Sequence, residues 1–308
     1  MDGTLRAEKE TISPTGDLGF KKILASEDHK TITQGFIKDF FGLQVGLDEI
    51  HLTNPYSIKA YGRQMKEEGV SQLRQTLRDV TARVDTVDVT LEMQVQRVGS
   101  FVERAFYYLT DLYGSHYDDH DRRYSDLRPV WSMNVMGQPV FGCPHPLHMF
   151  VLRDVERDES LAPELARLGF FELSKTGLPD HLARWRGFFL TGKAMDDDSS
   201  YIKQAADIIR WANLSQEERD MDKLLEKALA TQEAEMDFAR QEARREGLQK
   251  GRQEGRQEGL QEGMQQGDRE ARFANARVAL KLGIAVADVV EITGLDLATV
   301  SQLADECR

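Results

Sequence analysis

Acidic side chains are concentrated in one alternating stretch of the chain, from Arg78 to Gln96. If the chain turns at Asp85 and the residue after it, an antiparallel hairpin forms in which Asp79 faces Glu92. Opposed side chains lie on the same face about 5 Å apart at Cβ, and Gln94 lies on that face two residues farther along. Two carboxylates and an amide oxygen this close together favour a hard divalent cation, Mg²⁺ or Mn²⁺. The spacing therefore predicts a metal site on the hairpin.

The same acids have a second interpretation as the water-facing side of an ordinary hairpin. Alternation of valine with polar residues is typical of any half-exposed antiparallel pair. Asp85 and Asp88 are interpreted as turn residues, because aspartate suits tight turns. A slip of one residue in the pairing would also move the acids to the other face. From the residues alone, both interpretations stay open.

The segments around the hairpin alternate between helical and strand-like patterns. Residues 13–41 predict a helix with start signals at Ser13 and Asp17, followed by a second amphipathic segment that ends at Gly42. Further helical or strand-like segments follow at 47–60, 100–117, 129–136, 147–155, 168–175, 185–190 and 201–211. This alternation predicts one α/β or α+β domain over residues 10–212.

Residues 213–271 differ in character from this domain. They combine a charged, helix-forming segment with glycines that recur every four residues from Gly247 to Gly267. Glycine within a helix costs about 1 kcal/mol relative to alanine, so a lone helix here is expected to be marginal. The segment is interpreted either as a helix that self-associates or packs on the preceding domain, or as a flexible tether. The first interpretation predicts a homo-oligomer.

Residues 272–308 fit a small unit of three helices. Gly294 separates two short apolar patterns that together resemble a helix-turn-helix. A DNA-reading helix needs side chains that contact base edges, and the last helix offers only Ser301 and Gln302 beside acidic residues. We therefore favour a protein contact or a capping role over sequence reading.

Overall composition restricts the class of protein. The 308 residues carry a net charge of −12 and a pI near 5.2, which argues against a broadly basic nucleic-acid coat. Cys143 and Cys307 form no CxxC pair, so no zinc site of the cysteine type is expected. No apolar run is long enough for a membrane span, and the N-terminal segment lacks the apolar core of a secretory signal. We expect a cytoplasmic protein.

Three further groups of residues have side chains of the types that bind metals or stack on bases. His116 and His120 flank two aspartates and are predicted to lie in a solvated loop. The stretch CPHPLH at 143–148 contains two prolines and is predicted to form an extended turn without a metal. The aromatic run FYY at 106–108 has the chemistry to stack on bases, but its helical spacing favours a core position.

Several segments, taken in order, carry a family likeness. SPTGDLGFKKIL, then RDV and LEMQ in the hairpin, then RAFYYLTDLY and FFELSK, resemble the Rpn family of recombination-promoting nucleases, also called PD-(D/E)XK nuclease family transposases. The likeness covers residues 13–190, and the glycine-rich tail also resembles C-terminal ends common in that family. The resemblance implies a restriction-endonuclease-like core, in which a mixed central sheet is flanked by helices, and Mg²⁺-dependent cutting of DNA.

The resemblance also assigns roles to individual positions. Asp79 would be the first acid of the motif, although the residue before it is Arg78 rather than proline. Glu92 would be the acid of the (D/E)XK element, and Gln94 would hold the position that lysine usually occupies. Asp17 would be the acid of the first helix.

Because Gln94 replaces the motif lysine, the positive charge has to come from elsewhere. Lys22 and Lys175 lie on family-like segments and are the candidates. The leading hypothesis is a Mg²⁺-dependent DNA endonuclease that serves recombination or DNA mobility. The alternative is a catalytically weak protein with the nuclease fold, which binds DNA or assembles through its C-terminal helices.

Overall fold

The computed structural model describes residues 9–63, 80–95, 99–118, 123–161 and 164–306. The chain divides into two compact units, one that extends to Ala228 and one that starts at Leu229. Within the described ranges, no helix is both long and apolar enough to cross a membrane.

The first unit is built on a six-stranded mixed sheet. Its strands are β1 (Ile50–Leu52), β2 (Val80–Val84), β3 (Val87–Gln94), β4 (Val130–Met136), β5 (Leu147–Val151) and β6 (Ala166–Glu172). They are arranged in the order β1-β2-β3-β4-β6-β5. The β3–β4 and β4–β6 pairs are parallel, and the remaining pairs are antiparallel. The predicted mixed central sheet is therefore confirmed.

Helices cover both faces of this sheet. They are α1 (Asp17–Leu24), α2 (Lys30–Phe41), α3 (Phe101–Asp118), α4 (Asp180–Thr191) and α5 (Ser200–Ile208). Apolar residues of α1, α2, α4 and α5 form the main core with one sheet face, where Phe36 packs edge-on against Trp185 at 5.1 Å between ring centroids. As predicted, α2 ends at Gly42, whose φ of +73° is a left-handed conformation that glycine adopts without strain.

The hairpin adopts the predicted register over its described residues. Val80 pairs with Leu91 and Val84 pairs with Val87, and the turn lies at Asp85, which has a φ of +52°. β3 is nevertheless buried along its whole length, because β2 and β4 flank it and α3, which packs on β4 and β6, reaches its second face through Arg104 and His116. The interpretation of a water-facing hairpin is therefore wrong for β3.

α3 connects the parallel strands β3 and β4 and packs on the second face of the sheet. Phe101, Ala105 and Leu109 of this helix contact a smaller core that contains Val130 and Phe170. The four even-numbered side chains of β3 also point to this face. All four are polar and buried: Asp88, Thr90, Glu92 and Gln94. The helix α3 therefore covers an apolar area and a polar stripe side by side.

The second unit is helical. Its long helix α6 (Gln216–Lys281) starts in the first unit and contains the glycine repeat, and α7 (Val286–Thr293) and α8 (Leu297–Glu306) follow. A small core unites the end of α6 with α7 and α8 through Ala276, Val289, Val300 and Leu303. The repeat is thus helical, and the turn between α7 and α8 begins at Gly294, as predicted.

Candidate functional site

Two polar side chains of β3 converge on one arginine. Nη2 of Arg104 donates to Oε1 of Glu92 at 3.2 Å and to Oε1 of Gln94 at 2.8 Å. The side chain of Glu92 is 5% exposed, so its charge is almost completely removed from water. A buried carboxylate requires a positive partner, and Arg104 provides one. The structure thus brings together two of the residues that the sequence assigns to a metal site.

The elements that carry these residues fix their geometry. Glu92 and Gln94 are two residues apart on a strand, so both side chains point to the face that α3 covers. Arg104 lies in the first turn of α3, with its guanidinium carbon 4.9 Å from the centroid of the Phe101 ring. Phe101 is 5% exposed and anchored in the smaller core, so it provides a fixed surface against which the guanidinium is held.

A buried amide stands beside Glu92 on the neighbouring strand. Asn134 pairs with Glu92 across β3 and β4 and is 1% exposed. Its Nδ2 donates to the carbonyl oxygen of Gly169 at 2.9 Å, which can only accept, so the orientation of the amide is fixed. Its Oδ1 is buried and has no hydrogen-bond partner among the residues that the structure describes. An unpartnered buried oxygen costs free energy unless another group satisfies it.

The chemistry of these donors fits a hard divalent cation. Glu92, Gln94 and Asn134 all present oxygen atoms, the ligand type that Mg²⁺ and Mn²⁺ prefer. Two of these oxygens already converge on a cationic nitrogen. Within the ranges described, no group of three His, Cys, Asp or Glu residues is placed to hold a metal. Asp79, the predicted first acid of the motif, lies outside the described residues, and its role stays a prediction.

A second buried charge cluster lies on the same face of β3. Oδ2 of Asp88 is 2.6 Å from Nε2 of His116 and 2.8 Å from Nη2 of Arg128, and Arg83 lies 3.7 Å from its Oδ1. The prediction that Asp88 is a turn residue is wrong, because it lies inside β3 and is covered by α3. The prediction of a solvated loop is also wrong for His116, which is 4% exposed in α3, whereas His120 lies outside the described residues.

The structure places the other predicted catalytic residues in different surroundings. Nζ of Lys22 is 2.5 Å from Oε1 of Glu218, and the hydroxyl of Tyr56 donates to the same oxygen at 2.8 Å. Although burial raises the pKa of Glu218, the hydrogen bonds from Lys22, Ser215 and Tyr56 lower it below its ordinary value. Lys22 is therefore engaged by the first turn of α6.

Asp17 and Lys175, the other two predicted residues, lie at the start of α1 and just after β6. Asp17 is the first residue of α1, where a negative charge is favourable near the helix N-terminus. Lys175 binds Glu172, which is fully buried at the end of β6. Neither the contact of Lys175 nor that of Lys22 involves Glu92. The adjacent Lys21, not singled out by its spacing, is the buried lysine of α1 at 6% exposure.

The stretch CPHPLH brings Cys143 close to His148. Sγ of Cys143 is exposed and 3.6 Å from Nε2 of His148, which also lies 3.0 Å from the carbonyl oxygen of His145.

Phe106 and Tyr107 on α3 are 53% and 62% exposed. The prediction that this aromatic run belongs to the core is therefore wrong for both residues. They lie on the sides of α3 that turn away from the sheet.

Sequence reasoning missed Arg104, Asn134 and the partners of Asp88. A charged residue at the start of an otherwise apolar helix face was the available signal for Arg104. No comparable signal marked Asn134, because a polar residue within a strand is equally compatible with an exposed position.

The comparisons with known proteins agree with this architecture. The sequence profile of the PD-(D/E)XK nuclease family transposases matches residues 14–244, which include the whole sheet, α1 to α5 and the site around Glu92. Searches of curated proteins and of solved structures returned no significant match. The mixed six-stranded sheet with flanking helices is consistent with a restriction-endonuclease-like fold. The chain therefore belongs to the PD-(D/E)XK nuclease family transposases.

Proposed function

We propose that this protein is a divalent-metal-dependent DNA endonuclease that hydrolyses phosphodiester bonds and serves recombination or DNA mobility. Family membership supports a role related to nucleases and transposases. The observation that carries the proposal is the convergence of the Glu92 and Gln94 oxygens on one cationic nitrogen in a buried position. The same two oxygens are of the type that a hard divalent cation prefers as ligands.

Asp79, Glu92 and Gln94 would hold Mg²⁺, or Mn²⁺ in its place. When bound, such an ion activates water as a nucleophile and neutralises charge on a phosphoryl group. Glu92 would contribute the anionic ligand and Gln94 a neutral oxygen. Asp17 and Lys22 remain proposed catalytic residues, and Lys22 would act only after it leaves Glu218.

Plasmid nicking tests this function. Purified protein is incubated with supercoiled DNA and Mg²⁺ or Mn²⁺, with and without EDTA, beside the variants Asp79→Ala and Glu92→Ala. Asp85→Asn serves as a matched control, because it removes an acid of the same hairpin at the turn rather than at the site. We expect nicking by the wild type and the control, and its loss in EDTA and in both site variants. Nicking that survives both substitutions would show that other residues carry the chemistry.

A catalytically weak module that binds DNA or assembles through its C-terminal helices is the second candidate. Two observations favour it: Arg104 already neutralises Glu92, and α6 leads into a helical unit with its own core. In this case the protein would form a homo-oligomer through the glycine repeat and the C-terminal helices. Sedimentation velocity of the full chain and of a chain that ends before the repeat tests this, provided the shortened chain shows cooperative unfolding.

A further inference from the structure

The site contains a positively charged side chain, although its motif lacks the usual lysine. Gln94 stands at the lysine position, Lys22 is bound to Glu218, and Lys175 is bound to Glu172. Arg104 instead contacts both Glu92 and Gln94. The positive charge that the motif lost is therefore present on α3, the helix that connects the two central parallel strands.

The guanidinium of Arg104 uses only part of its hydrogen-bonding capacity. Both contacts to β3 are made by Nη2, and the Nε–H is buried with no acceptor in the part of the chain that the structure describes. The side chain as a whole is 28% exposed, so part of it is open to solvent beside the site. An arginine fork with unused donors is suited to phosphate, which it binds with two parallel hydrogen bonds.

The burial of Glu92 explains why Arg104 is held in its present position. A carboxylate that is 5% exposed needs a counter-charge, and the guanidinium supplies it as long as no other cation does. A divalent ion on the Glu92 and Gln94 oxygens would remove the two acceptors of Nη2 and repel the guanidinium. Arg104 would then need new anionic acceptors close to the same site.

We propose that Arg104 binds a phosphate group of the nucleic-acid backbone beside Glu92, and that it exchanges Glu92 and Gln94 for this phosphate when the site is occupied by a divalent cation. This inference rests on the proposed function, and it assigns to Arg104 the charge-stabilising role of the missing lysine. Tyr107 follows Arg104 by three residues on α3 and is 62% exposed, so the surface next to the fork can also contact a base.

DNA binding without cleavage provides the decisive measurement. The affinity for a labelled duplex is measured by fluorescence anisotropy in Ca²⁺ over a series of salt concentrations, for the wild type, Arg104→Gln and Arg104→Lys. Arg184→Gln is the matched control, because Arg184 is a partly exposed arginine that pairs with Asp197 on another helix–loop segment. Mn²⁺ binding without DNA is measured by calorimetry on the same proteins.

For Arg104→Gln we expect weaker duplex binding for every DNA sequence tested. The slope of log affinity against log salt concentration should also become shallower by about one unit, which is the signature of a lost phosphate contact. Mn²⁺ binding should be at least as tight as in the wild type, because the competing cation is gone. Nicking should fall by about 10²- to 10³-fold, the usual effect of removing one donor to a developing charge. Arg104→Lys should recover part of the affinity, and Arg184→Gln should match the wild type.

Other outcomes overturn the inference. If the affinity and salt slope of Arg104→Gln match the wild type while Mn²⁺ binding becomes tighter, Arg104 is only a counter-ion for Glu92. If Arg104→Gln fails to fold, the double variant Glu92→Gln with Arg104→Gln, which leaves no unpaired buried charge, is compared with Glu92→Gln alone, and equal duplex affinity of the two contradicts phosphate binding. A wild type that neither binds Mn²⁺ nor nicks DNA would refute the proposed function itself, whereas an active wild type with an indifferent Arg104→Gln would refute the inference alone.

Discussion

Nε2 of His116 lies 2.6 Å from Oδ2 of Asp88, and both side chains are more than nine-tenths buried between α3 and β3. The pair links the last turns of α3 to the start of β3, while Arg104 links the first turn of the same helix to the end of β3. Two polar contacts at opposite ends thus fix the position of α3 along the strand. The orientation of Arg104 at the site depends on this placement.

Removal of Asp88 should strongly destabilise the fold. Asp88→Ala would leave His116 and Arg128 without their buried anion, and breaking a buried ion pair costs about 3–5 kcal/mol. Urea unfolding followed by circular dichroism measures the change in the free energy of unfolding. Asp85→Asn is the control, because Asp85 lies in the exposed turn at positive φ, which asparagine tolerates. Equal midpoints for the two variants would show that the Asp88 cluster adds no stability.

The buried carboxylate of Glu172 should make stability depend on pH. Although burial raises its pKa, the hydrogen bonds from Lys175 and from the backbone of Phe141 and Val140 lower it below its ordinary value of 4.5. A carboxyl group whose pKa is lower in the folded state stabilises the fold above its unfolded pKa, and this contribution is lost as the pH falls through the folded pKa. The free energy of unfolding should therefore decrease below about pH 4.5.

Glu172→Gln isolates this contribution. The variant should lose less stability than the wild type as the pH is lowered from neutrality through the acid range, because it has no carboxylate to protonate. Thermal unfolding at a series of pH values measures the difference, and Glu156→Gln on the exposed surface serves as the control. Parallel pH curves for the wild type and Glu172→Gln would contradict the prediction.

Substitution of the repeat glycines should stabilise α6. A Cβ atom added at Gly251 or Gly259 meets nothing within 4 Å, and alanine is favoured over glycine within a helix by about 0.8–1 kcal/mol. Gly251→Ala and Gly259→Ala should therefore slow amide hydrogen exchange in this part of α6. Exchange that becomes faster, or a sedimentation coefficient that falls, would indicate that the glycines pack closely against a second copy of the chain.

The exposed ring of Tyr107 should contribute to binding of single-stranded DNA. Stacking of one base on an aromatic side chain is worth about 1–3 kcal/mol, so Tyr107→Ala should weaken this binding by about 5- to 150-fold. Tyr124→Ala is the matched control, because Tyr124 stacks on Tyr117, which is about 15 Å farther along α3 than Tyr107 at 1.5 Å per residue. Equal affinities of the two variants in an anisotropy titration would exclude a specific role for Tyr107.

The sequence by itself determined the local elements and the hairpin register. Strand periodicity and a turn at Asp85 were sufficient to predict that Val84 pairs with Val87, because pairing in a tight hairpin follows from the position of the turn. The end of α2 at Gly42 was predicted for a similar reason, since a left-handed residue stops a helix wherever it occurs. Both features depend only on neighbours in the chain.

Only the tertiary structure decided which polar residues meet. An alternating strand has the same pattern whether its polar face meets water or a covering helix, so the burial of Asp88 and Glu92 depends on α3, which lies elsewhere in the sequence. Arg104 comes from α3 and Asn134 from β4, and Lys22 contacts Glu218, which is 196 residues away in the sequence. Periodicity along one segment carries no information about such pairings, because they follow from how separate elements pack.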